Sequence, residues 1–187
     1  MTADGSATPG IVEQILVIHE ALDAARLPHA FGGALALAWC TQRARGTIDI
    51  DVNVFVESAR AGEVFDALPE GIARDEASMR TCERDGQVRL WWGNTPVDLF
   101  TDTTDFHRAA ASRCVRHEFA GARVPFLQCG DLAVFKAFFN RSRDWVDLEE
   151  MHQAGTLDVA HVVGVLAVHL GLDDERVARV RGFATVD

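Results

Sequence analysis

The chain has 187 residues, 48% hydrophobic and 25% charged, with a formal net charge of −10. That length and apolar content support one folded core with at most a small appendage. The acidic balance argues against broad non-specific nucleic-acid binding, while leaving room for an RNA end docked on a local arginine patch.

The first ten residues are polar, carry Asp4 and lack the basic and apolar regions of a signal peptide. No apolar run approaches the ~20 residues of a membrane span. The expectation is a cytoplasmic protein with no membrane association. Ile11 to Ala25 follows with a helical stripe of Ile11, Ile15, Leu16, Ile18, Leu22 and Ala25. Pro28 to Phe31 then reads as a short strand, Gly32-Gly33 as a tight turn and Ala34 to Cys40 as a helix. Glycines at such a turn let backbone N–H groups approach a phosphate, and the helix N-terminus adds partial positive charge. A plain glycine turn is the alternative.

From Ile48 to Val56 the even positions are Ile, Ile, Val, Val and Val, and the odd ones Asp49, Asp51, Asn53 and Phe55. This period of two predicts a strand with Asp49 and Asp51 on one face, roughly 7 Å apart. Two carboxylates so placed disfavour each other's ionisation unless a positive charge intervenes. Hard oxygen donors without nearby His or Cys suit Mg2+ or Mn2+ better than zinc. A solvated strand face is the competing reading.

Glu57 to Leu68 reads as a second covering helix, stopped by Pro69 and Gly71. Ser78–Glu83, Val88–Trp92 and Pro96–Thr101, separated by Asp85-Gly86 and Gly93-Asn94, predict an antiparallel meander. Its last strand carries Asp98, which would complete a three-carboxylate cluster if it lay beside the Asp49/Asp51 strand. Arg113–Glu118 and Ala122–Leu127 read as a further hairpin. From Asp131 the pattern is helical: Leu132, Phe135, Phe138 and Phe139 form an apolar face with Lys136 off it. Arg141 to Asp144 breaks that helix and Trp145, Leu148 and Met151 begin another, with Asp144 as its N-cap and Asp147 as a surface acid. Val159–Leu172 predicts a buried helix, and Asp173-Asp174-Glu175 opens a last short one.

The cysteines, Cys40, Cys82, Cys114 and Cys129, form no Cys-x-x-Cys pair and read as reduced thiols, with Cys114-x-x-His117 the nearest approach to a ligand pair. Of the 18 basic residues, Lys136 is the single lysine, a hint that an ammonium is wanted there.

Taken in order, Gly32-Gly33, Arg45, Thr47, Asp49 and Asp51, then Pro96-Val97-Asp98-Leu99-Phe100, then Asp131-Leu132 with Lys136, Arg141, Arg143, Asp144 and Asp147, resemble the motifs of the DNA polymerase beta superfamily of nucleotidyltransferases. The pattern is most similar to the AbiEii branch of toxin nucleotidyltransferases, which includes the MenT toxins. Most of the superfamily has Gly-Ser where this chain has Gly32-Gly33. The resemblance implies an α+β (α/β) nucleotidyltransferase fold, a mixed sheet flanked by helices, with a core over 1–130 and a helical segment over 131–187 packed on it. It implies an enzyme that moves an NMP from an NTP to a hydroxyl and releases pyrophosphate. In that scheme Asp49, Asp51 and Asp98 hold Mg2+ or Mn2+, and Asp98 also deprotonates the acceptor. Gly32, Gly33 and Thr47 line the nucleotide phosphates, and Lys136 contacts them as a compact charge. Arg43, Arg45, Arg141 or Arg143 assists, and Asp144 positions Lys136 or caps its helix. The acceptor implied is a tRNA 3′ end, with a separately encoded antitoxin. A protein hydroxyl, an aminoglycoside-like small molecule and a non-catalytic nucleotide-binding partner remain the alternatives.

Overall fold

The computed structural model describes residues 8–43 and 46–185. Among them the chain forms helix α1 (Ile11–Ala24), strand β1 (His29–Phe31), α2 (Gly33–Thr41), β2 (Ile50–Glu57), α3 (Ala61–Ala67), β3 (Ile72–Ala73), α4 (Glu76–Asp85), β4 (Gln87–Trp92) and β5 (Thr95–Asp102). There follow α5 (Asp105–Ala110), β6 (Val115–Phe119), β7 (Ala122–Phe126), α6 (Cys129–Phe139), α7 (Ser142–Gln153), α8 (Val159–Leu170) and α9 (Glu175–Gly182). These elements gather into two compact units.

The first unit contains the described residues of Met1–Phe31, Thr47–Ala111 and Arg116–Pro125. It is built on a mixed sheet of order β3-β4-β5-β2-β1-β7-β6. β2 runs antiparallel to β1 and parallel to β5, and β4 is antiparallel to β3 and β5. A parallel neighbour demands a long crossover, and the segment from Ser58 to Trp92 supplies it. Ile50, Val52 and Val54 of β2 and Val97 and Leu99 of β5 are fully buried, as are Ile18 and Leu22 of α1 and Val64 of α3. β2 is central, so Asn53 and Phe55 on its other face are buried too. Ile48, expected in the strand's buried row, precedes β2 and is 82% exposed.

The segment Ser78–Glu83 is not a strand but the middle of α4. Asp75 accepts from the Ser78 amide while the Ser78 hydroxyl accepts from the Asp75 amide, a reciprocal cap that commits the segment to a helix. Gly86, at φ +69°, ends it in the left-handed conformation glycine tolerates. Glu57–Leu68 likewise divides: β2 runs through Glu57, a single 3-10 turn covers Ser58–Arg60, and α3 begins at Ala61.

The second unit contains the described residues of Gly32–Gly46, Ser112–Val115 and Phe126–Asp187. α6 is its axis, packing against α2, α7, α8 and α9. Leu132, Ala133, Val134 and Ala137 of α6, Leu148 and Met151 of α7, Val162 and Leu166 of α8 and Val177 and Val180 of α9 are buried in its core. α8 is a helix as expected, but only Val162 and Leu166 are buried and Val168 is 82% exposed. Cys40 and Cys129 are joined in a disulfide between α2 and the start of α6, and Cys82 and Cys114 remain thiols. The expectation of four free thiols therefore fails. A pairing across 89 residues of sequence follows from helix packing and leaves no spacing signature.

Candidate active site

In the first unit the interstrand register sets three side chains in one row. Asp51 of β2 lies opposite Asp98 of β5, and Asp98 lies opposite Arg89 of β4. Adjacent strands are about 4.8 Å apart, so the two acids are immediate neighbours on parallel strands. Both are half-buried, whereas Arg89 is exposed. Arg89 donates from Nε and Nη2 to the two oxygens of Asp98, at 2.7 and 2.6 Å. The carboxylate fork raises the guanidinium pKa above its ordinary value, with burial opposing and the charges of Asp98, Asp49 and Asp51 adding to the rise.

Asp49 stands just before β2. The Thr47 hydroxyl reaches its Oδ1 at 2.9 Å and its carbonyl at 2.7 Å, and the Asp49 amide donates back to the Thr47 hydroxyl. Thr47 thereby fixes the turn into β2 and the direction of the Asp49 carboxylate. Hard oxygen donors on Asp49, Asp51 and Asp98 are the donor set a divalent cation such as Mg2+ prefers. Among the described residues no three His, Cys, Asp or Glu side chains converge as a closed metal cage. Asp98 is turned into the Arg89 fork. Gln87, Arg89 and Trp91 are exposed along the alternate positions of β4, so this acid row borders an open sheet face.

In the second unit Gly33 opens α2 at φ +52°. The helix has no side-chain N-cap and no acid in its first turn, so its leading amides are left for water or an anion. Lys136, read from sequence as lying off the apolar face, is only 6% exposed. Its Nζ donates to Asp147 Oδ2 at 2.6 Å and lies 3.9 Å from Asp144 Oδ1. Asp147, expected as a surface acid, is buried at 3% because that ammonium compensates it. Asp144 is the third residue of α7 and not its N-cap: it accepts from the Arg141 amide and from the Arg141 guanidinium at 2.7 and 3.1 Å. Arg143 is exposed, and Arg45 lies outside the described residues.

Two arginines went unmarked in the sequence reading. Arg113 donates to both oxygens of the fully buried Asp131, at 2.9 to 3.1 Å, so Asp131 is a structural acid at the start of α6. Arg89 was legible in principle: counting back from the two-residue turn at Gly93-Asn94 pairs Trp92 with Thr95 and Arg89 with Asp98.

No protein-family model and no curated protein sequence matches the chain. Solved structures do. The solution structure of the antibiotic-resistance factor ANT(2'')-Ia aligns with 91% of this chain and 89% of its own, at TM-score 0.56 and 18% identity. The crystal structure of ANT(2'')-Ia in complex with adenylyl-2''-tobramycin aligns with 93% and 97%, at TM-score 0.55 and 18% identity. An antigenic nucleotidyltransferase-like protein from Paracoccidioides brasiliensis aligns with 91% and 85%, at TM-score 0.51 and 10% identity. The fold expected from the motifs, an α+β nucleotidyltransferase fold with a mixed sheet, is the fold these structures share with this chain.

Proposed function

We propose that this chain is an enzyme that transfers a nucleoside monophosphate from an NTP to a hydroxyl of an acceptor, with release of pyrophosphate. The observation that carries the reading is the pairing of Asp51 with Asp98 on parallel neighbouring strands, with Asp49 held two residues earlier by Thr47. Asp49 and Asp51, joined by Asp98, would hold Mg2+ or Mn2+. When bound, such a cation neutralises triphosphate charge and polarises the α-phosphorus. The amides at Gly32, Gly33 and the uncapped start of α2 bind terminal phosphate oxygens. Thr47 orients Asp49, and the exposed Arg143 supplies a further cationic contact to the nucleotide. Asp98 accepts the acceptor hydroxyl proton on a carboxylate oxygen as that hydroxyl attacks the α-phosphorus in line. The bond to the β-phosphate breaks and pyrophosphate leaves. Lys136 contributes a compact charge toward the phosphates, held by Asp144 and Asp147.

For the acceptor, a small polycation is the first reading. A net charge of −10 favours cationic ligands over nucleic acid, and the fold is shared with a protein captured with adenylyl-2''-tobramycin. The resemblance of the run Asp131-Leu132, Lys136, Asp144, Asp147-Leu148 to the AbiEii branch is what supports the second: a tRNA 3′ end modified by the toxin of a toxin-antitoxin pair. Incubation with each α-labelled NTP and Mg2+ or Mn2+, offered tobramycin or total tRNA, separates them. Label on tobramycin supports the first, label on tRNA the second, and both vanish in Asp49→Asn/Asp51→Asn. NTP binding unaltered by that double substitution overturns the assignment of the acids.

A further inference from the structure

The row Asp51, Asp98, Arg89 holds a feature that the proposed reaction leaves unused. Both oxygens of Asp98 are engaged by one guanidinium, through Nε and Nη2. That fork takes one lone pair on each oxygen, the pair that a cation chelated by both oxygens would use. The two partners are unequal in freedom: the Asp98 side chain is 17% exposed and the Arg89 side chain 52%. Asp98 is fixed between β2 and β4 by its register, whereas Arg89 has solvent beside it and can turn out into water once a cation takes over the half-buried carboxylate.

We infer that Arg89 is a built-in counterion for the acid row, occupying Asp98 until a divalent cation displaces it, and so sets the cation concentration at which the site loads. The inference rests on the acid assignment above. Without Arg89, Asp49, Asp51 and Asp98 would present three negative charges across two strands. With it the row carries a net charge of about −2, and one Asp98 face is closed. Arg89 therefore acts through Asp98 and is a positioning residue. It keeps the carboxylate in the row and, by opposing the cation, makes loading reversible.

The test is Mn2+ titration followed by water-proton relaxation, which needs neither nucleotide nor turnover. Removing one positive charge from within several ångströms of a divalent ion at a hydrated surface predicts binding tighter on the order of tenfold in Arg89→Gln. Arg89→Lys, which keeps the charge but loses the fork, falls between wild type and Gln. Asp51→Asn in the wild-type chain is the companion measurement. If Asp51→Asn weakens Mn2+ binding while neither Arg89 variant strengthens it, the counterion role is overturned and the acid assignment stands. If Asp51→Asn leaves Mn2+ binding unchanged, or wild type binds none, the acid assignment fails and the inference falls with it. Weaker binding in a folded Arg89→Gln also overturns it, because Arg89 would then assist the cation instead of opposing it.

Discussion

Replacing Lys136 by Met tests whether the single lysine is held in a buried ion pair. Its ammonium meets Asp147 at 2.6 Å, and the two side chains are 8% and 5% exposed. Deleting the ammonium removes the 2.6 Å ion pair that Asp147 makes in the interior, and loss of one partner of a buried pair costs up to about 3–5 kcal/mol. Asp144 is spared most of that cost, because the Arg141 guanidinium still engages both of its oxygens, so the loss concentrates on Asp147. Removing both charges, as Lys136→Met with Asp147→Leu, is expected to recover roughly 2 kcal/mol or more of it, since a buried pair exchanged for apolar groups is often neutral. Equilibrium urea denaturation of wild type, each single variant and the double variant gives the coupling directly. A Lys136→Met cost below about 1 kcal/mol would show that the ammonium is solvated and the ion pair contributes no more than a surface one. Strict additivity of the two substitutions would refute the pair as a unit.

The remaining expectations bear on stability. Reducing the Cys40–Cys129 bond, or substituting Cys40→Ser, opens a link across 89 residues of sequence and is expected to lower stability by roughly 2–4 kcal/mol; an unchanged urea midpoint with and without reductant would contradict the pairing. The His19–His29 pair predicts sensitivity to acid. Leu27 carbonyl can only accept, so His29 donates to it from Nδ1 and receives the His19 Nδ1 proton on Nε2, an arrangement that requires a neutral His29 ring. Burial, opposed by the Leu27 bond and aided by His19, lowers the His29 pKa from 6.5 to about 4, and burial lowers that of His19. Below 6.5 the unfolded chain takes up a proton the folded chain resists, so stability present above pH 6.5 is lost as pH falls toward 4, by about 3 kcal/mol for His29 alone. Urea midpoints at pH 7.5 and 4.5 should differ less in His29→Gln than in wild type; equal differences would sink this.

Local signals in this chain carry far but unevenly. Alternation from Ile50 to Val56 suffices for β2, because burial of one face of a strand has to repeat every second residue. The turn at Gly93-Asn94 suffices for the β4–β5 hairpin, and stripes of apolar residues suffice for α1, α6 and α7. Asp98 beside Asp51 was also within reach, since it needs only that two recognised strands be neighbours. The same alternation rule misled at Ser78–Glu83, where the reciprocal cap between Asp75 and Ser78 outweighs a weak pattern.

What the tertiary structure alone decided is the state of the charged side chains. Sequence marks Lys136, Asp131 and Asp147 as interesting but cannot say whether each faces water or a partner, because that depends on which helices meet. Packing of α6 against α7 buries Lys136 with Asp147, and Arg113, 18 residues from Asp131 in sequence, closes on that acid. The same holds for Cys40 with Cys129. Covalent periodicity writes the elements and their turns, whereas desolvation decides which charges must be paired, and desolvation exists only once the elements have packed.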